Sequence, residues 1–148
     1  MINSTSMDNL LPYITESIKN GGQFVFYPKG TSMLPTIIPE KDCVVLIEPF
    51  NLKKYDLVLF TRESGTFVLH RIIGYKNGKY IINGDNQNWT EETTGERIIA
   101  KVDEIRKPDG KIISASKFTS KNFVFKLFVS KFMRRAVNKI RRIIKGEK

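Results

Sequence analysis

Residues 66–83 read TFVLHRIIGYKNGKYIIN, two apolar runs separated by an Asn-Gly pair. β-Branched and aromatic residues fill both runs, which is typical of strands. Asn77 and Gly78 tolerate the positive φ angles that a two-residue hairpin turn needs. The stretch therefore predicts a β-hairpin whose strands occupy residues 66–75 and 79–83.

The same pattern continues on both sides of this hairpin. Short apolar runs alternate with turns rich in glycine, proline and asparagine, for example at residues 63–65 and 108–110. Because the connections are too short for helical crossovers, we expect antiparallel pairing. The fold class that we predict is mainly β, an antiparallel sheet built of hairpins. Its further strands are expected at residues 23–27, 42–48, 56–62, 97–106 and 111–114.

Helical patterns flank the predicted strands at both ends. Apolar residues share one face of residues 7–20, and Gly21 and Gly22 supply the stop. From residue 120 onward apolar residues recur at spacings of three and four, which predicts a basic amphipathic helix of about 24 residues, or two shorter ones. We therefore divide the chain into an N-terminal helix (1–22), a β-domain (23–116) and a basic helical tail (117–148).

The positive charge of the chain is confined to the tail. The formal net charge is +10, and residues 117–148 carry 11 Lys/Arg against a single acidic residue, Glu147. Residues 1–116 carry 14 residues of each sign and are neutral. Any electrostatic argument about a partner is therefore an argument about the tail.

Two interpretations of this tail are open from sequence. Its wide apolar face with positive flanks suits an anionic membrane surface, bound through residues 120–145. A helix packed on its own domain, with a solvated charged face, is the alternative. Nucleic acid is not expected, because phenylalanines on one helical face suit an apolar partner better than phosphates.

Composition excludes several classes of site. The chain has one cysteine, Cys43, in an apolar run that favours burial, and one histidine. These counts exclude a disulfide framework, a multi-cysteine zinc site and a histidine-rich metal site, so we expect no metal and no cofactor. The N-terminus lacks a basic start followed by an apolar core, and no stretch reaches about 18 apolar residues. We therefore expect a cytoplasmic protein, peripheral at the inner membrane face if the tail binds lipid.

Three short motifs contain residues suited to catalysis. Gly30-Thr31-Ser32-Met33-Leu34-Pro35-Thr36 places a serine on a turn whose backbone N–H groups can meet at one point. Val68-Leu69-His70-Arg71-Ile72 places an imidazole on a strand, and Gly84-Asp85-Asn86 follows the next strand. Each motif alone also has a structural interpretation, as a turn serine, a core histidine and a plain turn.

Together, in this order and spacing, the motifs resemble the signal peptidase I family. The resemblance covers about residues 24–107 and is closest to the branch of archaea, the endoplasmic reticulum and some Gram-positive bacteria. That branch uses histidine where the usual bacterial enzymes and their LexA-like relatives use lysine. The resemblance implies a β-fold of the signal-peptidase/LexA kind and a serine endopeptidase that cleaves leader or signal-like peptides.

The resemblance also implies roles for individual residues. Ser32 would be the nucleophile, His70 the general base and Asp85 its acidic partner. Glu91 stands where the branch has a second aspartate, so the third catalytic group is either Asp85 or Glu91. The remaining motif residues would form the oxyanion hole and the substrate groove, namely Gly30, Thr31, Met33 and Pro35.

Two other functions remain open from sequence. A self-cleaving regulator of the LexA-like kind would need a DNA-binding domain, for which the 29 residues before Gly30 are too few, and an Ala-Gly or Cys-Gly cleavage site, which does not occur. The second function is that of a catalytically silent relative that only binds peptides. Retention of Ser32, His70 and Asp85 argues against it.

Overall fold

The computed structural model describes residues 4–146 of the chain, and the side chains of residues 9–146. Three helices and eight strands occur in this part of the chain, with single turns of 3₁₀ helix at Lys19–Gly21 and Gly95–Arg97. The helices are α1 (Ser4–Ile18), α2 (Ala115–Phe118) and α3 (Lys121–Ile144). The strands are β1 (Phe24–Phe26), β2 (Cys43–Ile47), β3 (Leu57–Thr61), β4 (Phe67–Lys76), β5 (Lys79–Asn83), β6 (Glu91–Thr93), β7 (Ile98–Arg106) and β8 (Ile112–Ser114).

All eight strands belong to one antiparallel sheet, as the sequence predicts. The strand order is β1-β2-β7-β3-β4-β5-β6, and β8 pairs with the far end of β7. The nine residues of β7 let it pair with β2, β3 and β8 along its length. At the two ends of the order, β1 and β6 each pair with a single strand of the described sheet.

The central hairpin forms through the predicted turn. Asn77 and Gly78 have φ angles of 51° and 77°, and Lys76 pairs with Lys79. Both residues thus adopt the left-handed conformation that a two-residue hairpin turn requires. This turn fixes the register of β4 against β5, and therefore the face on which each side chain of β4 lies.

The apolar core consists of two clusters, and successive residues along a strand belong to opposite clusters. In β3, Leu57 and Leu59 belong to the larger cluster, whereas Val58 and Phe60 belong to the smaller one. The larger cluster also receives α1 through Ile14 and Ile18, α2 through Phe118, and α3 through the half-buried Phe123. The three segments named from sequence therefore share one core.

The helices differ in detail from the sequence prediction. Helix α1 begins at Ser4, so Pro12 lies in its interior and not near its start. The C-terminal helical region divides at Thr119 and Ser120, because the Ser120 hydroxyl accepts the N–H of Phe123 and starts α3 there. Residues 1–3 and 147–148 of the predicted segments lie outside the described residues.

The strands match their predicted positions within one residue at each end, apart from β6. This strand of three residues, Glu91–Thr93, was not predicted because it carries two glutamates and no apolar run. Cys43 is buried, as expected. In residues 4–146, the helices are all too short or too polar to cross a membrane.

Candidate active site

Ser32 and His70 lie on the wall of the same cavity, although 38 positions separate them in the sequence. The cavity has a volume of about 270 Å³ and opens to solvent. Gly30 and Met33 line it beside the serine, and Arg62 lines it beside the histidine. The loop before β2 and the middle of β4 therefore meet at one site.

The loop that carries Ser32 is held by the turn after β5. The backbone N–H of Asn86 donates to the Ser32 carbonyl (2.8 Å), and its side-chain amide donates to the Thr31 carbonyl (3.2 Å). Within the loop, the Leu34 N–H also donates to the Thr31 carbonyl (3.2 Å), and Gly30 has a φ angle of +82° that favours glycine. Two segments far apart in sequence thus set the position of the serine backbone.

Gly84 permits this contact because it has no side chain. A Cβ atom at this position would lie 2.8 Å from the carbonyl oxygen of Ser32 and 2.8 Å from Oε1 of Gln87. The glutamine side chain could move, but the Ser32 carbonyl belongs to the backbone. Gly84 therefore sets how closely the β5–β6 turn approaches the loop that carries Ser32.

His70 occupies a buried position on β4, opposite Val58 of β3. Its Nδ1 lies 3.1 Å from Oε1 of Glu91, although the N–H does not have ordinary hydrogen-bond alignment. A carboxylate can only accept, so the proton of a neutral ring belongs on Nδ1. Nε2 on the opposite side of the ring is then free to take a proton from a nucleophile.

The Glu91 carboxylate is itself held by Arg62. Arg62 Nε donates to Oε2 (2.7 Å) and Nη2 donates to Oε1 (2.8 Å), a two-bond pairing. These bonds lower the pKa of Glu91 below its ordinary value of 4.5, so the group is a carboxylate at neutral pH. The structure thus forms a chain of three groups, in which Arg62 holds Glu91 and Glu91 faces His70.

Burial and charge oppose each other at His70. Burial lowers the pKa of the imidazole below its ordinary value of 6.5, the Glu91 carboxylate raises it, and the positive charge of Arg62 lowers it again. The net direction is downward. His70 is therefore neutral at pH 7, which is the form that a general base requires.

Asp85 has a different partner from the one that the sequence suggested. Its carboxylate accepts from Arg71 through Nε and Nη2, each at 2.8 Å, and from the Thr36 hydroxyl. Arg71 is fully buried and also donates through Nη1 to the carbonyls of Tyr55 and Phe118. The structure thus places Glu91 next to the imidazole, while Asp85 neutralises a buried guanidinium.

The shared cavity wall brings Ser32 and His70 into one site but not into a hydrogen bond. In the described residues no hydrogen bond links the Ser32 and His70 side chains. The N–H of Ser32 donates to no other backbone group within residues 4–146, so it can donate to an oxyanion. Among the other motif residues, Gly30 and Met33 line the cavity, whereas Thr31 and Pro35 are exposed outside its lining.

The sequence does not predict the contacts that four residues make at this site. Arg62 and Asn86 had no signal, because their partners are 29 and 54 positions away. Gly84 was interpreted only as a turn residue. Arg71 carried a usable signal, since its place on an apolar strand predicts a buried charge that needs a carboxylate partner.

A second, apolar groove adjoins the cavity. It has a volume of about 520 Å³ and shares Pro28, Lys29, Phe67 and Leu69 with the first cavity. Strand β1 forms one of its walls, and the outer edge of β1 is unpaired in the described sheet. An extended peptide could therefore pair with β1 and reach Ser32.

Neither metal-binding residues nor known relatives assign a function to this site. No group of three or more His, Cys, Asp or Glu side chains in residues 4–146 is arranged to hold a metal ion. Comparison of the chain with models of known protein families and with curated proteins found no match.

Proposed function

We propose that the protein is a serine endopeptidase of the signal peptidase type, with Ser32 as nucleophile and His70 as general base. One observation carries this proposal: Ser32 and the chain's single histidine line the same solvent-open cavity. The carboxylate of Glu91 behind the ring adds the third group of a triad.

The chemistry follows from the position of each proton. Nε2 of His70 takes the proton of the Ser32 hydroxyl while the oxygen attacks a peptide carbonyl. The Ser32 N–H donates to the developing oxyanion, and the imidazolium, stabilised by Glu91, gives its proton to the leaving amine. Water, deprotonated by the same imidazole, then hydrolyses the acyl-enzyme and frees the acid product.

The grooves support a peptide substrate bound in extended form. Main-chain pairing with the free edge of β1 would supply affinity that does not depend on sequence, and the apolar groove would select the side chains. This suits the apolar leader or signal-like peptides that the resemblance implies. The smaller cavity at Ser32 suits the small side chains that the same resemblance implies just before the cut.

The arrangement of the sheet is compatible with a signal-peptidase/LexA-like fold, which we include in the proposal. The serine precedes β2, the base lies in β4 and the acidic motif follows β5, the same order along the chain as in the resemblance. The antiparallel architecture supports this assignment.

The test is cleavage of a peptide library, with products identified by mass spectrometry. We expect cleavage by the wild type and a loss of about 10³-fold or more for Ser32→Ala and His70→Gln. Ser64→Ala, an exposed serine in the β3–β4 turn, is the matched control and should retain full activity. Equal cleavage by wild type and Ser32→Ala would contradict the proposal.

A catalytically silent peptide-binding protein is the second candidate. It is favoured by one observation, the missing hydrogen bond between Ser32 and His70 in the described residues. Catalytic hydrogen bonds often tighten only when substrate binds, so the observation does not oppose catalysis. Saturable peptide binding by the wild type with no cleavage of any library member would support this second candidate.

A further inference from the structure

Helix α3 exposes a broad apolar face that the rest of the described chain does not cover. Aromatic and aliphatic side chains on this face are 55–78% exposed. Apolar residues on the packed side of a helix are largely buried. Helical spacing of three, four and seven places most of them along one side. They are Phe125, Phe132, Met133, Ile140, Ile143 and Ile144.

Different residues of the same helix dock it on the protein. Val124 and Leu127 are buried, Lys131 donates through Nζ to Oδ1 of Asn83 (3.1 Å), and Arg135 donates to the side chain of Asn88. Burial accordingly lowers the pKa of Lys131. At 100° per residue Val124, Leu127 and Lys131 lie on the side away from the exposed Met133, Ile140 and Ile144. The exposed face is therefore free because the helix already packs through its other side.

The charge of α3 narrows the choice of partner. Its 24 residues include eight Lys/Arg and no Asp or Glu. Lys126 and Lys139 lie at the two borders of the apolar face by helical spacing. A second copy of the same helix would bring like charges together, and phosphates of nucleic acid would leave the phenylalanines in water.

We propose that α3 lies on an anionic lipid surface, with its apolar face inserted at the level of the headgroups. Apolar side chains enter the boundary with the acyl chains, and the flanking lysines pair with lipid phosphates and carboxylates. This proposal does not depend on peptidase activity, since every residue that carries it lies outside the Ser32 cavity.

Binding in this orientation fixes the distance of the candidate site from lipid. Asn83 and Asn88 bracket the turn that holds the Ser32 loop, and both contact the docked side of α3. At most one helix diameter, about 10 Å, then separates this turn from the membrane surface. Peptides that emerge from or lie on the membrane would therefore be within reach of Ser32.

The test uses the full chain and sedimentation with sucrose-loaded vesicles. We expect binding to phosphatidylcholine vesicles that contain about 30% phosphatidylserine, and a loss of about tenfold or more in pure phosphatidylcholine. Raising salt from about 0.1 M to about 0.5 M should also weaken binding, because added ions screen the lysines. Removal of residues 117–148 is a poor test, because it deletes Phe118, whose buried side chain and carbonyl support the core and Arg71.

Point variants test the apolar contribution. Phe132→Ser should weaken vesicle binding by about tenfold, since an inserted aromatic side chain is lost. Tyr13→Ser is the matched control, because Tyr13 is as exposed as Phe132 (66% against 70%) but lies on α1. Both variants should unfold at the wild-type temperature, and Ser32→Ala should bind vesicles normally.

Three results would overturn the proposal. They are equal binding to neutral and anionic vesicles, unchanged binding by Phe132→Ser, and a stable wild-type dimer that Phe132→Ser converts to monomer. The last result would assign the apolar face to a second copy of the chain.

Discussion

Replacement of Glu91 by glutamine tests which carboxylate serves His70. The substitution keeps the size of the side chain and removes its charge, so Nδ1 of His70 loses the carboxylate at 3.1 Å. Arg62 loses the charge of its partner but can still donate one hydrogen bond to the amide oxygen. Because the Glu91 side chain is 22% exposed and that of Arg62 is 37% exposed, solvent limits the cost to stability to about 1 kcal/mol.

The expected effect on catalysis is much larger. In the proposed mechanism His70 becomes an imidazolium in the transition state, and Glu91→Gln removes the charge that would stabilise it and orient its ring. Loss of the orienting carboxylate in a triad lowers kcat by about 10²- to 10⁴-fold. This factor corresponds to about 3 to 5 kcal/mol of transition-state stabilisation.

The pH profile separates an electrostatic role from a merely structural one. Burial lowers the pKa of His70, the charge of Arg62 lowers it further and Glu91 raises it, so Glu91→Gln removes the main influence that opposes the downward shift. The acidic limb of kcat/KM should therefore move to lower pH. Glu92→Gln, on the same strand but 61% exposed and close to Lys79, is the matched control.

The assay measures cleavage of the best library peptide from pH 5 to pH 8, a range centred on the ordinary imidazole pKa of about 6.5. Initial rates are measured at saturating and at limiting substrate. A Glu91→Gln enzyme with wild-type kcat and an unmoved acidic limb would refute the assignment. If, in addition, Asp85→Asn moved the acidic limb strongly, Asp85 would be the acidic partner of His70.

Three further outcomes follow from the geometry. Asp85→Asn should cost about 3 kcal/mol or more in urea unfolding, because Arg71 stays buried without a charged partner. The acidic limb of activity should move less than in Glu91→Gln, because the charge of Asp85 raises the pKa of His70 less than that of Glu91 does. Gly84→Ala should lower the free energy of unfolding by about 1 to 3 kcal/mol and also lower kcat, because the new Cβ displaces the Ser32 carbonyl. Stability should fall as pH drops below 6.5, since the depressed pKa of His70 makes the unfolded chain bind protons first. Calorimetric Tm measured against pH checks this last expectation, and a His70→Gln variant should show a weaker dependence.

The hairpin at the centre of the chain was predictable because its signals are local. The Asn-Gly pair can take positive φ at both positions, and the alternation of β4 assigns each side chain to a face without reference to any other strand. The amphipathic pattern of α3 is equally local, with a period that fixes its apolar and charged sides. Hence strand and helix positions follow from sequence with small errors.

The identity of the histidine's partner was not predictable in the same way. Asp85 and Glu91 both follow β5 by a few residues, and sequence spacing gives no reason to prefer either. The pairing of β6 with β5 brings Glu91 beside the ring, and the burial of Arg71 claims Asp85 first. A buried guanidinium needs a charged partner more than a neutral imidazole does, which decides between them.

The sequence by itself determined the antiparallel β class, the basic amphipathic helix and the set of groups able to do the chemistry, because each depends on neighbours within a few residues. Only the tertiary structure decided that Ser32 and His70 share a cavity, that Glu91 and not Asp85 faces the imidazole, and which side of α3 remains exposed. These features depend on strand pairing and packing between segments that lie tens of residues apart, and no local pattern encodes such contacts.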